Sequence, residues 1–190
     1  MNYTLYQIQE VLNDKNYVFF DTVNIVGIRT SNIIANSFDD WLYLIYEGDK
    51  IQSFPITTDP GAYWLENPMN VRGTAILVPG QYLDSHAIGL HQGKYEALKQ
   101  QKPLKVWRDN TKDHIIDTSE EIYEGIYGIN IHRSNPHTQS KVVEKWSAGC
   151  QVFKKVADFN FFMEVCKSSG EQTFTYTLLE ESDFQRLSFS

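Results

Sequence analysis

The chain has 190 residues, a formal net charge of −7 and 42% hydrophobic residues. This length fits one domain, and the apolar content can form a core, which excludes a fibrous or low-complexity chain. The acidic balance disfavours binding to nucleic acid, because contacts to phosphates need dense Lys and Arg. No apolar run approaches the ~20 residues that cross a bilayer. We expect a single domain over residues 1–190, without a membrane span or a nucleic-acid partner.

The chain begins with a short predicted helix and continues mostly with strand-like segments. Spaced apolar residues predict the helix over 3–12. Runs rich in β-branched and aromatic residues, bounded by turn residues, predict strands over 23–30, 41–46, 51–57, 74–78, 104–108, 122–132, 148–154 and 173–179. The second and third of these form a candidate hairpin around the turn at 47–50.

Two further helices are expected. Residues 156–168 have a broad apolar face and are followed by Gly170, which favours the end of a helix. A second helix is predicted over 93–101. The sequence therefore indicates a mainly β fold with two or three helices, one of which follows Cys150.

Positive charge is concentrated in two segments. Residues 94–112 hold six cationic and two acidic side chains, and residues 131–155 hold five and one. If the segments meet in the fold, they form a basic patch suited to a carboxylate-bearing ligand. The alternative is a solvated charged face.

Cys150 and Cys166 can form at most one disulfide, which is too few for a disulfide scaffold, so at least one of them is open to a chemical role. The candidate nucleophile is the thiol of Cys150. A free thiol is mostly protonated at neutral pH, so a cysteine nucleophile needs a nearby imidazole. Strand alternation places Asn130 and His132 on one face, and the polar loop that follows can return the chain to Cys150. Gly149 gives the backbone freedom there, and the adjacent N–H groups are candidates for stabilising an oxyanion.

The order and spacing of these residues resemble a known family. Cys150 follows His132 by 18 positions, and the segment before it reads Trp146-Ser147-Ala148-Gly149-Cys150. Together with the hairpin, the stretch 59–63 and the run 73–80, this pattern is similar to the L,D-transpeptidase (YkuD-like) catalytic domain, in the divergent form found in Bacteroidetes-type bacteria and their phages. The resemblance covers residues 23–155, which would form the core between an N-terminal helical extension (1–22) and a helix plus terminal strand (156–190).

The resemblance implies a β-sandwich or barrel-like fold and a cysteine acyltransferase or peptidase. Cys150 would attack the carbonyl of an L-to-D peptide bond in a peptidoglycan stem, His132 would take its proton, and backbone groups at Gly149 would hold the oxyanion. An amine or water would resolve the thioester. The expected substrate contacts are Arg133 as a carboxylate clamp, Trp146 as an aromatic platform, and Ser147.

The chain departs from the family pattern at two places. The family usually has His where this chain has Ala148, and often Asn or Arg after the cysteine, where this chain has Gln151 and Val152. These departures motivate an alternative function, a non-catalytic cell-wall-binding module or phage virion component with a degenerate site.

Other site classes have weaker patterns. A zinc site is possible in principle from His86 with His91 or His132 with His137, joined by Asp59, Asp84 or Asp113, but neither pair has the spacing that puts two ligands on one face. We therefore expect no metal and no cofactor. A sortase-like site would combine Cys150 with His86 or His91 and Arg186, yet lacks that family's threonine-rich lead into the cysteine.

The first residues show no signal-peptide pattern, since no Lys or Arg precedes Lys15. We expect synthesis in the cytoplasm and action at the cell wall. This combination fits a phage-encoded or virion-associated protein, or a chain from which a signal has been removed. The sequence leaves the oligomeric state open.

Overall fold

The computed structural model describes residues 3–118 and 121–187, and its architecture is mainly β, as predicted. The strands are β1 (Val23–Arg29), β2 (Asp40–Tyr46), β3 (Lys50–Thr57), β4 (Thr74–Leu77), β5 (Gly80–His91), β6 (Tyr95–Gln100), β7 (Leu104–Asp109), β8 (Tyr123–Gly125), β9 (Ile131–Arg133), β10 (Gln151–Phe153) and β11 (Phe174–Glu180). The helices are α1 (Leu5–Asp14), α2 (Ala62–Glu66), α3 (Val156–Ser168) and α4 (Glu181–Arg186).

Eight strands close into a barrel in the order β1-β11-β5-β6-β9-β10-β3-β2. The β1–β11 and β9–β10 pairs are parallel, and the other neighbours are antiparallel. Strand β11 lies between β1 and β5, so the barrel is not complete within residues 23–155. The remaining strands, β4, β7 and β8, form a separate three-stranded sheet.

The strongest local patterns predicted their elements well. The hairpin of β2 and β3 is confirmed, with Tyr46 paired to Lys50 beside the turn. Helix α3 has the predicted bounds, and α1 begins and ends two residues later than predicted.

Two predictions were wrong, both near β6. Residues 95–100 form strand β6 rather than a helix, because β5 turns back at Gln92 and Gly93, whose φ values are 51° and 70°. Strand β5 itself was not predicted. The predicted strand 122–132 is divided between β8 and β9, which belong to different sheets.

Two large apolar clusters form most of the core. The first joins side chains of the barrel strands to the apolar face of α3, and the second lies between β1, β2, α1 and α4. Strand β1 contributes to both, since Ile25 belongs to the first cluster while Val26 and Ile28 belong to the second. Burial on both faces explains its nearly continuous apolar sequence. Within the described residues, no helix has the length and hydropathy needed to cross a membrane.

The packing of α3 is testable with two adjacent phenylalanines. Phe162 is fully buried, with its ring centroid 5.0 Å from that of Phe153, whereas Phe161 is 38% exposed. Phe162→Ala should lower the free energy of unfolding by about 3–5 kcal/mol through lost burial and the cavity left behind. Phe161→Ala should cost clearly less. Urea denaturation measures both, and equal losses would contradict this packing of the helix.

Candidate active site

The parallel pairing of β9 and β10 brings Cys150 and His132 onto the same face of the barrel wall. Ile131 pairs with Gln151, and the N–H of Gln151 donates to the carbonyl of Asn130 at 2.9 Å. Ile131 and Gln151 point into the barrel, where Gln151 accepts a hydrogen bond from the Tyr176 hydroxyl at 2.7 Å. Their neighbours Cys150 and His132 therefore face the other way. In this register the two residues are diagonal neighbours on adjacent strands.

Cys150 is a partly exposed residue, and its thiol makes hydrogen bonds to backbone groups. The N–H of Asn130 donates to Sγ at 3.4 Å, and Sγ donates to the carbonyl of Gly128 at 3.3 Å. Sγ does not hydrogen-bond to the imidazole of His132. Transfer of the thiol proton to His132 therefore requires the cysteine side chain to turn from Gly128 toward the ring.

The tautomer of His132 is set by its backbone contact. Nδ1 lies 2.8 Å from the carbonyl oxygen of Arg133, and a carbonyl can only accept, so Nδ1 carries the hydrogen. The Tyr95 hydroxyl donates to the same oxygen at 3.3 Å. In the neutral ring this arrangement leaves the lone pair on Nε2, which is the tautomer that a general base needs.

Burial keeps both groups uncharged. It raises the pKa of the Cys150 thiol to about 11, with only partial compensation from the Asn130 N–H. Burial, together with a smaller effect of the neighbouring His91, also lowers the pKa of His132 to about 3. The site therefore holds a neutral thiol and a neutral imidazole at pH 7. Such a pair suits proton transfer during nucleophilic attack rather than a preformed thiolate and imidazolium.

The loop before Cys150 has a tightly determined backbone. Gly149 has φ of +114°, and a Cβ there would lie 2.4 Å from the carbonyl oxygen of Ala75 on β4. The Ser147 hydroxyl accepts from the Gly149 N–H at 3.1 Å and donates to the Cys150 carbonyl at 2.8 Å. Ser147 is fully buried, which corrects the prediction that its side chain contacts substrate. Its hydroxyl instead stabilises the loop before Cys150.

A cleft of about 420 Å³ lies beside His132 and brings other predicted site residues together. Its lining includes Arg133 and Trp146, and the Arg133 guanidinium stacks 4.0 Å from the centre of the Tyr95 ring. The cleft also has Lys94 and Lys145 in its wall but no carboxylate among its lining residues. The two basic segments of the sequence thus meet here, and the cleft favours an anionic ligand.

The positions that depart from the family pattern have different surroundings. Ala148 lines a second cleft of about 230 Å³, whose wall also includes Arg108 and Tyr127. Gln151 and Val152 are buried, Gln151 in the barrel and Val152 in a small cluster with Val143. Neither Gln151 nor Val152 therefore presents a side chain to a ligand in the cleft.

The residues of the rival sites do not assemble. His86 is fully buried, where Nε2 donates to the Ile129 carbonyl at 2.9 Å and Nδ1 accepts from Ser85 at 2.8 Å. His137 is exposed, and Arg186 lies in α4, which contacts α1. Among residues 3–118 and 121–187, no group of three or more His, Cys, Asp or Glu side chains is arranged to hold a metal ion.

Sequence reasoning did not include three residues in the Cys150–His132 site: Asn130, Tyr95 and His91, the last of which it considered only for a zinc or a sortase-like site. The His91 ring stacks on His132 with centroids 4.1 Å apart, and Asn130 contacts both Cys150 and His91. Only the pairing of β5 with β6 and of β6 with β9 brings His91 to His132, so no local pattern marks it. The alternation of β9 did place Asn130 on the face of His132.

Comparison with family models, curated proteins and solved structures finds no match to this chain. The candidate function therefore depends on the geometry of Cys150, His132 and the cationic cleft, together with the sequence resemblance.

The uncharged state of the pair predicts how Cys150 reacts with iodoacetamide. With its pKa near 11, the thiolate fraction should rise about tenfold per pH unit between pH 7 and 10, and the alkylation rate should follow it. Peptide-resolved mass spectrometry measures the rate. An alkylation rate that stops rising below pH 8 would instead show a thiolate paired with an imidazolium. The buried Cys166 serves as the internal control and should react only after unfolding.

Proposed function

We propose that this protein performs cysteine-dependent acyl transfer on peptidoglycan stem peptides, as an L,D-transpeptidase-like enzyme. One observation carries the proposal: Cys150, a partly exposed residue, shares a face with His132, whose Nε2 lone pair is free and whose ring lines a cleft with three cations. The sequence resemblance supports the choice of substrate. The expected place of action is the cell wall, as a phage-encoded or virion-associated protein or after removal of a signal.

The chemistry follows from the positions of the groups. Sγ of Cys150 forms a bond to the acyl carbon as its proton passes to Nε2 of His132, and the carbonyl electron pair moves to oxygen. By the family resemblance, backbone N–H groups around Gly149 stabilise that oxygen; the Gly149 N–H itself donates to the Ser147 hydroxyl and would have to exchange that partner. The tetrahedral intermediate then expels the amine, which receives the proton from His132. An incoming amine or water cleaves the thioester and regenerates the thiol.

The cleft supports a substrate that carries a carboxylate. Arg133 offers a planar guanidinium for paired hydrogen bonds, and its stacking on Tyr95 holds it in place. Lys94 and Lys145 add positive charge at the rim. Since peptidoglycan stem peptides end in a carboxylate, the charge of the cleft and of the substrate are complementary.

A second candidate function is a non-catalytic cell-wall-binding or virion module. The hydrogen bond from Sγ to Gly128 and the neutral state of both side chains favour it, because an inert thiol would have the same contacts. The cationic cleft would then bind the stem peptide without cleaving it.

Incubation with purified peptidoglycan fragments that carry tetrapeptide and pentapeptide stems tests the two functions against each other. The wild-type protein should produce new cross-links or shortened stems in mass spectra, and Cys150→Ala should abolish both. Fragments that bind but remain unchanged with the folded wild-type protein would favour the binding module. Products that persist in Cys150→Ala would contradict the nucleophile assignment.

The carboxylate preference is testable with two activated esters. Mono-4-nitrophenyl succinate carries a carboxylate that 4-nitrophenyl acetate lacks. Arg133→Gln should lower kcat/KM for the succinate ester by about ten- to a hundredfold relative to the acetate, since a hydrogen bond to a charged group contributes about 1.5–3 kcal/mol. The control Lys50→Gln removes the same charge outside both clefts and should leave the ratio unchanged. An equal loss of kcat/KM on both esters would show that Arg133 does not bind the carboxylate.

A further inference from the structure

His91 is a second imidazole in the wall of the cationic cleft. It ends β5, just before the turn into β6, and only 7% of its surface is exposed. Its ring lies nearly parallel to that of His132, with an interplanar angle of 23°. Both rings line the same cleft.

The hydrogen bonds of Asn130 determine which nitrogen of His91 carries the hydrogen. The backbone N–H of Gln100 donates to the Asn130 side chain at 2.9 Å, so the accepting atom must be the amide oxygen. The amide nitrogen of Asn130 then faces Nδ1 of His91 at 3.2 Å and donates to it. Nδ1 is therefore unprotonated, and the neutral His91 ring carries its hydrogen on Nε2. Burial and the nearby cations also lower the pKa of His91.

The two stacked rings are therefore complementary. His132 has a hydrogen on Nδ1 and a lone pair on Nε2, whereas His91 has a lone pair on Nδ1 and a hydrogen on Nε2. Both Nδ1 atoms are engaged by the protein. Among the described residues, no hydrogen-bond partner is recorded for Nε2 of His91, so this largely buried residue has a donor available to a ligand in the cleft.

We propose that Nε2–H of His91 donates a hydrogen bond to an oxygen of the acyl donor while His132 acts as the base. This inference deepens the proposed function and rests on it for the identity of the ligand. The rings of His91 and His132 are stacked with centroids 4.1 Å apart and line the same cleft, so an acyl donor bound there would face both. Its oxygen accepts from His91, and the thiol proton moves to His132.

The tautomers are directly measurable in the absence of any substrate. Long-range ¹H–¹⁵N correlation spectra of histidine-labelled protein at pH 7 should show His91 protonated on Nε2 and His132 protonated on Nδ1. Spectra of His91→Phe and His132→Gln assign the signals. A His91 ring protonated on Nδ1, or on both nitrogens, would overturn the inference whatever the activity of the protein.

Binding of a stem tetrapeptide to the Cys150→Ala protein separates this inference from the proposed function. Saturation with peptide should shift the Nε2–H resonance of His91 downfield. If the peptide binds and this resonance does not move, the donor role of His91 is wrong and the proposed function survives. If the peptide does not bind at all, the proposed substrate class fails, and the donor role toward it fails too.

Kinetics on mono-4-nitrophenyl succinate identify the oxygen concerned. His91→Phe keeps an aromatic ring against His132 but has no N–H, and should lower kcat/KM at least tenfold, while His91→Gln, which keeps a donor, should restore part of the loss. A loss confined to kcat indicates contact with the oxyanion, and a rise confined to KM indicates contact with the carboxylate. An unchanged rate in His91→Phe would overturn the inference. The exposed His137→Phe is the matched control.

Discussion

The parallel pairing of β9 with β10 is the constraint on which the candidate site depends. Each strand has only three residues, yet their register decides which side chains leave the barrel. A slip of β10 by one residue against β9 would turn Cys150 into the apolar interior and bring Gln151 to the cleft. The hydrogen bond between Gln151 and Tyr176 opposes such a shift, because it holds the neighbour of the nucleophile inside the barrel. The fold therefore fixes the direction of the thiol through the residue beside it.

The surroundings of the site maintain a neutral reaction pair. Ser147 and Gly149 hold the loop before the cysteine, and the Gly61 N–H binds the carbonyl of Ser147 at 2.9 Å. Thus the stretch 59–63, which resembles the family pattern, lies directly against the loop before Cys150. Burial raises the pKa of the Cys150 thiol and lowers that of the His132 imidazole. This burial therefore prevents ionisation of the resting pair, and in the proposed reaction proton transfer would accompany attack.

How far the sequence predicted the structure depended on the range of the contacts involved. Helix α3 and the β2–β3 hairpin have strong local periodicity and were predicted closely. Strand β6 was mistaken for a helix because Ala97 and Leu98 are both buried, so the alternation typical of a strand is lost. Turn residues Gln92 and Gly93 were the only local indication of the β5–β6 hairpin.

The same reasoning applies to the site. The face of His132 and its order relative to Cys150 are local properties, and the two basic segments were visible as charge. In contrast, the stacking of His91 on His132 needs three strands to pair in the correct register, which no single segment encodes. The inward direction of Ser147 depends on Gly61 and Gly149, and so the sequence alone suggested a substrate contact instead.

Trapping of an acyl-enzyme tests the central claim, that Cys150 and His132 act as nucleophile and base. The protein would be mixed with a tetrapeptide-stem fragment, quenched with acid within seconds and digested for peptide mapping by mass spectrometry. The account predicts a thioester on Cys150 alone, formed at pH 7 by the wild-type protein and at least a hundredfold more slowly by His132→Ala, in line with the contribution of a general base. The absence of an adduct on Cys150, or equal rates in the two proteins, would contradict it.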